Sequence, residues 1–360
     1  MPGIRHRVLD FRQTFITGRS PRACAIALAL SLAMVSCGSR FDRGTLPLQL
    51  SDDEFWRLVR SVSETPGTFS HSDNLVSNEI LIPHSIRQLR ARGGVYIGVG
   101  PEQNFSYIAR IEPAMSFIID IRQENRNLHL LYKALFELSA DRVDFVSRLF
   151  SRERPAGLAG DVSARTLFEA YHTATPSSEL LAKTSAAVRE RLLETHRLPL
   201  SVADLESIDH ALHAFHTDGP DIAYRPSRPS NERQPSYRAL MTATDFSGRT
   251  HSYLASDEAF QFIRAQHEKN LIVPVVGDFG TSEGAIARVG EYARRHGSQV
   301  SAFYGSNVQA YLNNQQLLVF CRSLATLPHA KHRSAFIHSE GPVPFRDKLA
   351  TCTSRVHGFR

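Results

Sequence analysis

The residues best placed to do chemistry are two glycines and two acids in one short stretch. Gly98, Gly100 and Glu102 lie in V-Y-I-G-V-G-P-E-Q-N-F at 95–105, and Asp120 ends F-I-I-D at 117–120. Glycine lets a backbone turn sharply and come close to a ligand. An acid at the end of the following strand, about 20 residues on, is where a ribose-binding carboxylate belongs. Asp120 reads as that carboxylate, or as a turn cap or ion-pair partner of Arg122 or Arg126. Glu102 follows Pro101, which suits the first turn of a helix. A carboxylate there is favoured by the helix dipole but repels a pyrophosphate. The turn therefore reads away from NAD and ATP and toward a cationic ligand such as S-adenosylmethionine. Capping of the helix accounts for Glu102 equally well. G-V-G-P-E-Q also lacks the third glycine of a dinucleotide fingerprint, which weakens an oxidoreductase reading.

Asp278 follows the apolar run L-I-V-P-V-V and precedes Gly280. That placement suits a catalytic acid, base or substrate hook, and it suits a turn residue as well. Tyr304 and Asn307 have the same kind of position after V-S-A-F-Y. Asp73, Asn74, Asn78 and Glu79 form a polar stretch ahead of the glycine strand, read as turn chemistry or as groups that close over a ligand. His210, His213 and His216 share a helix face, but with no third ligand they read as a solvated surface, and no metal site is expected. There is no G-x-S-x-G elbow, so a serine hydrolase is disfavoured, and there is no P-loop.

These groups need elements to hold them. A short apolar strand running into the glycine turn, a second ending on Asp120, and apolar runs at 271–276, 300–304 and 334–338 read as strands, with helices expected between them. Asp52 to Ser63 and Ile80 to Arg92 read as helices ahead of the first strand. Leu128, Leu131, Leu135 and Leu138 begin a long helical stretch that continues through an insertion at 151–218. Residues 219–236, rich in Pro, Ser and Arg, read as a loop or lid. Tyr237 to Met241 reads as a short strand, and residues 341–360 as a tail. Alternating strands and helices argue for an α/β fold with a mostly parallel, doubly wound sheet. Its strand ends would gather Gly98–Asn104, Asp120–Arg122, Gly277–Phe279 and Tyr304–Asn307 at one edge, where ligands of open α/β sheets bind.

The chain has 360 residues and a formal charge of +6. Five arginines against Asp10 in residues 1–36 carry +4 of it, so bulk charge implies no nucleic-acid partner. The arginine-bearing start precedes an apolar run, Ala23 to Val35, that is short for a bilayer span and suits an export signal. It ends Met34-Val35-Ser36-Cys37-Gly38, similar to a bacterial lipobox, in which Cys37 would carry lipid; Met34 stands where Leu is usual. The expected organisation is a signal at 1–36, a tether at 37–50 and one domain at 51–340. The expected location is outside the cytoplasm on a membrane anchor, with a cytosolic protein as the alternative if the start is placed wrongly. With Cys24 lost and Cys37 acylated, Cys321 and Cys352 remain as a candidate disulfide or as two thiols.

The strings Tyr96–Ile108 and Phe117–Arg122 with Asn125 resemble an uncharacterised bacterial family with a class I S-adenosylmethionine-dependent methyltransferase-like fold. Further matches are Ser72-Asp73-Asn74, Ser77-Asn78-Glu79, Ser252–Ala255, Val273–Phe279 and Phe303–Val308, spanning about residues 70–312. The resemblance implies a Rossmann-like sheet, with Gly98, Gly100, Glu102 and Asp120 toward the cofactor and Asp278 and Tyr304 as pocket candidates. Tyr96 and Ile97 stand where methyltransferases usually carry an acid, so Glu102 would have to serve. No N-P-P-Y-like motif is present, which disfavours a base-modifying enzyme. The leading expectation is methyl transfer to an unidentified small molecule or protein. The alternative is a lipid-anchored, non-catalytic binding or scaffold protein that keeps the fold.

Overall fold

The structure is a computed structural model that describes residues 46–70, 72–227 and 233–358, with side chains as far as Cys352. The chain divides into two units, Met1–Ser39 and Arg40–Arg360, and only the second holds described residues. The expected signal and Cys37 lie outside them.

Helix α1 (Asp52–Val62) opens the described chain with a capping box between Ser51 and Glu54. After it come α2 (Ile82–Gln88), β1 (Val95–Gly98), α3 (Gln103–Ile111) and β2 (Met115–Asp120). A run of helices separates β2 from the next strand: α4 (Gln123–Leu138), α5 (Arg142–Phe150), α6 (Ala164–His172), α7 (Ser178–Glu190), α8 (Val202–Asp218), α9 (Tyr237–Thr242) and α10 (Asp257–Glu268). Then follow β3 (Ile272–Val276), α11 (Ala285–Arg295), β4 (Val300–Tyr304), α12 (Asn314–Ala325), β5 (Ala335–His338), β6 (Gly341–Pro344) and α13 (Phe345–Gly358). The molecule is α/β, with one six-stranded sheet in the order β3-β2-β1-β4-β5-β6. The first five strands pair in parallel and β6 is antiparallel to β5.

Burial explains why short apolar runs became strands. Every residue of β1, β2 and β3 is buried, as expected of a parallel sheet covered by helices. Pro274 sits inside β3 opposite Ile118, and an edge strand tolerates the missing N–H. The outer edge of β3 is covered by the chain after α1: Glu64 N donates to Val276 O at 2.8 Å, and Val276 N donates to Ser63 Oγ at 3.1 Å. Helices α3, α4 and α10 pack together, while α11 packs with α1, β2 and α12. Between α3 and α4 an aromatic cluster forms around Phe105, which makes edge contacts with Tyr132, Phe136, Tyr253 and His129 at 5.2–5.5 Å between ring centres.

Two segments differ from the sequence reading. Tyr237–Met241, expected as a strand, lies in helix α9, started by Ser236 Oγ accepting from Ala239 N. Residues from Gly341 on, expected as a tail, supply β6 and α13, and Cys352 of α13 is bonded to Cys321 of α12.

Candidate functional site

Strand order reverses beside β1. The chain runs from β1 outward through β2 to β3, then returns to place β4 on the other side of β1. The loops after the β1 and β4 carboxyl ends therefore diverge, and a crevice opens there. The structure has a cleft of about 310 Å³ at this place, lined by residues from the ends of β1, β2, β3 and β4.

The glycine turn is tied down from behind. Asn104 Nδ2 donates to the carbonyls of Val99 (2.9 Å), Gly100 (3.1 Å) and Pro101 (2.8 Å), and Tyr96 Oη donates to Asn104 Oδ1 (2.9 Å). Gln103 Nε2 adds a bond to Val99 O. His129 Nε2 lies 2.9 Å from Gly100 O, and because a carbonyl only accepts, Nε2 carries the proton. Burial pushes the His129 imidazole down to about 4, so it is neutral near pH 7. With the Val99 carbonyl drawn inward, peptide planarity turns the Gly100 N–H the other way. Gly100 lines the cleft with φ +78°, a conformation that favours glycine. Pro101 has no N–H to offer, so the turn lacks the consecutive donors of a phosphate cradle.

Gly98 does different work. A Cβ there would overlap Asn104 Oδ1 and come within 2.8 Å of the Tyr96 ring. Gly98 is needed for packing within the turn and does not line the cleft.

Glu102 is not at the cleft surface either. It is fully buried, and both carboxylate oxygens accept from Ser77 N at 3.2 Å. Burial pushes its carboxyl up to about 8, against the smaller pull of the backbone bonds. Ligand contact and helix capping were the two roles expected of Glu102; its side chain does not line the cleft and makes no cap bond to α3, and instead fastens residues 72–79 over the start of that helix. Tyr304 is displaced in the same sense: fully buried, it packs on Tyr107 at 4.8 Å, and its hydroxyl accepts from Gln103 Nε2 at 3.3 Å. Burial raises its phenol well above the usual range, which makes it a poor proton carrier.

Asp120 and Asp278 do line the cleft. Asp120 Oδ1 accepts from Arg122 N (3.0 Å) and Nε (3.2 Å), and Arg122 Nη1 continues to Asp73 O at 2.6 Å. The alternative ion pair with Arg122 is thus real, yet it uses one oxygen and leaves Oδ2 without a partner among the described residues. Asp278 divides its oxygens similarly. Oδ1 accepts from Gly280 N at 2.7 Å, and the Asp278 N–H is held by Glu64 Oε2 at 2.8 Å.

Residues on four other segments complete the wall. Phe69 comes from the strap after α1, Glu79 and Asn74 from the polar stretch, Tyr224 from the 219–236 loop, and Ser306, Asn307 and Tyr311 from the chain after β4. Phe69 and Tyr311 meet edge to face at 5.1 Å. Tyr224 and Tyr311 carried no sequence signal, because loop aromatics have no periodicity to betray them. Among the described residues the wall contains three carboxylates, Glu79, Asp120 and Asp278, and no lysine or arginine. Such a cleft suits a neutral or cationic ligand with hydroxyls and a flat ring, and it opposes a phosphate.

His210 and His213 are exposed on α8, away from this wall. No helix among the described residues is long and apolar enough to cross a membrane.

Residues 74–337, most of the chain, match the family model of DUF7790, a domain of unknown function. That match includes the glycine turn, Asp120, Asp278 and the β4 end. No curated protein matches the chain.

Proposed function

The chain belongs to the DUF7790 family, and from that premise we propose that its cleft binds S-adenosylmethionine on a Rossmann-like, class I methyltransferase-like sheet and serves methyl transfer. The observation that carries the reading is the wall itself: among the described residues it has three carboxylates and no basic side chain, at the switch point of a 3-2-1-4-5 sheet. That strand order is shared with nucleotide-binding sheets, while the wall's charge opposes their phosphates. The residues present fit an adenosyl group. Asp120 Oδ2, at the end of β2, is free to accept from a ribose diol. Gly100 allows close approach at the turn, and Phe69 and Tyr311 offer ring faces and edges. S-adenosylmethionine, when bound, supplies an electrophilic methyl group. The chain's own part is to hold the reactants in line and keep water away, which is the larger share of the rate in such transfers. Asp278 is the first candidate for a proton acceptor on the substrate side, through its unengaged oxygen.

Calorimetric titration of the purified full-length chain with S-adenosylmethionine and S-adenosylhomocysteine tests this. Micromolar binding is expected, with ATP and NAD binding at least about tenfold more weakly. Asp120→Asn is expected to weaken adenosyl binding by about tenfold or more, through loss of a charged acceptor. No binding at millimolar ligand by a folded protein would sink the proposal.

A second reading is favoured by the Cys321–Cys352 disulfide, with its Cα atoms 5.4 Å apart. Disulfides persist in oxidising compartments, which agrees with the export signal expected around Cys37. In that reading the protein is a lipid-anchored binding module whose cleft takes a cationic small molecule without chemistry.

A further inference from the structure

We infer that Glu79 is the side chain that reads the charge of the cleft's ligand, so that a sulfonium is held in preference to the neutral thioether of the same skeleton. This rests on the adenosyl reading above and goes beyond it by assigning one residue and one discriminating property.

Glu79 lines the cleft where the polar stretch meets the end of β4. Its Oε1 accepts from Ser306 Oγ, which fixes the carboxylate's position. Its Oε2 is buried and has no partner among the described residues. A buried carboxylate with no cation beside it is costly. The other two acids of the wall are compensated differently. Asp120 already faces the Arg122 guanidinium, and Asp278 is engaged by a backbone turn. Glu79 has neither relief: only hydroxyls act on its carboxylate, and Oε2 lies just behind the cleft surface with no cation beside it, where a positive charge in the cleft acts on it through space.

The ionisable groups acting on Glu79 come from three elements: Tyr304 of β4, Tyr96 of β1 and Tyr107 of α3. None is a cation. Burial accordingly raises the Glu79 carboxyl, and the hydroxyls of Ser306 and Tyr304 only partly offset it. A cationic ligand changes that balance. It stabilises the carboxylate, and a proton leaves as it binds. At low pH the ligand must first displace that proton; as pH rises through the raised carboxyl range, this cost disappears. Preference for the cation over its neutral analogue therefore grows with pH.

The test is a pair of titrations on the full chain, S-adenosylmethionine against S-adenosylhomocysteine, from about pH 5 to about pH 8. The wild type is expected to prefer the sulfonium by about tenfold at the upper end and less at the lower. Glu79→Gln keeps the shape and removes the charge, so the two affinities should converge and become independent of pH. Ser306→Ala keeps the carboxylate but removes its donor; the preference should persist, with its rise moved to higher pH. Should Glu79→Gln fail to fold, that shift carries the test alone. Two ligands that bind with the same ratio in wild type and Glu79→Gln, or a Ser306→Ala profile that does not move, would overturn the inference and leave adenosyl binding intact. If neither ligand binds the folded wild type, the adenosyl reading falls and this assignment falls with it.

Discussion

At the scale of single residues, sequence position and side-chain direction proved to be separate matters. Glu102 sits in the glycine turn, one residue past Pro101, yet its side chain faces inward to Ser77 N. The sequence carries its proximity to the turn but not the fold-back of residues 72–79 that supplies the buried donor. Asp120 was legible because a strand end fixes both place and direction, and its division between Arg122 and the cleft followed from the short spacing. The buried state of Glu102 has a measurable consequence. Its carboxyl moves from an ordinary 4.5 to about 8 in the folded protein. The folded state then keeps a proton that the unfolded chain releases, so stability falls as pH rises from about 4.5 to about 8 and levels off above. Glu102→Gln supplies a neutral group of the same shape that still accepts from Ser77 N. Urea denaturation should find it more stable than wild type by up to about 3 kcal/mol at pH 7, with a flatter dependence on pH. Equal slopes for the two proteins between pH 5 and pH 8 would show that Glu102 is ionised in the fold.

At the scale of elements, the parallel strands were the most legible part, because a strand buried on both faces reads as an unbroken apolar run. Val300–Tyr304 was placed to the residue. The failures have particular causes. Gly341-Pro342-Val343-Pro344 reads as a breaker, yet prolines are tolerated on an edge, and β6 is the edge beside β5. Tyr237–Thr242 has the aromatic look of a strand, but Ser236 caps it and Ala239, Leu240 and Met241 favour a helix. Helix α13 was expected as a tail, yet the pairing of Cys321 with Cys352 was already one of the two alternatives open to these cysteines, and it is the one the structure shows. The disulfide joins α12 to α13 across a separation of 31 residues. Restricting a loop of that size in the unfolded chain is worth about 3–4 kcal/mol. Cys352→Ser should lower the free energy of unfolding by about that amount, and dithiothreitol should lower the wild type to the same level. A variant as stable as the oxidised wild type would mean that the bond contributes no constraint.

At the scale of the whole molecule, two inferences pull in different directions. The wall of the cleft suits an adenosyl sulfonium, which is made in the cytosol. The disulfide and the expected lipobox point outside it. Bulk charge cannot arbitrate, since most of the +6 lies in the first 36 residues, while the cleft is acidic. Cys37 can, although it lies outside the described residues. If it carries lipid, cells grown with radiolabelled palmitate should label the wild type and not Cys37→Ala, and protease added to spheroplasts or intact cells should reach the domain when it faces outward. Labelling together with outward exposure would shift the ligand from S-adenosylmethionine to another cation with a flat ring and hydroxyls. The charge-reading role of Glu79 would then be sought with that class of ligand. An unlabelled protein that stays in the cytosol would remove the conflict and leave methyl transfer as the stronger reading. The proposed preference for positive charge rests on Glu79 and Asp278 in either case, with Asp120 answered by Arg122, because it depends on the wall and not on the compartment that the wall faces.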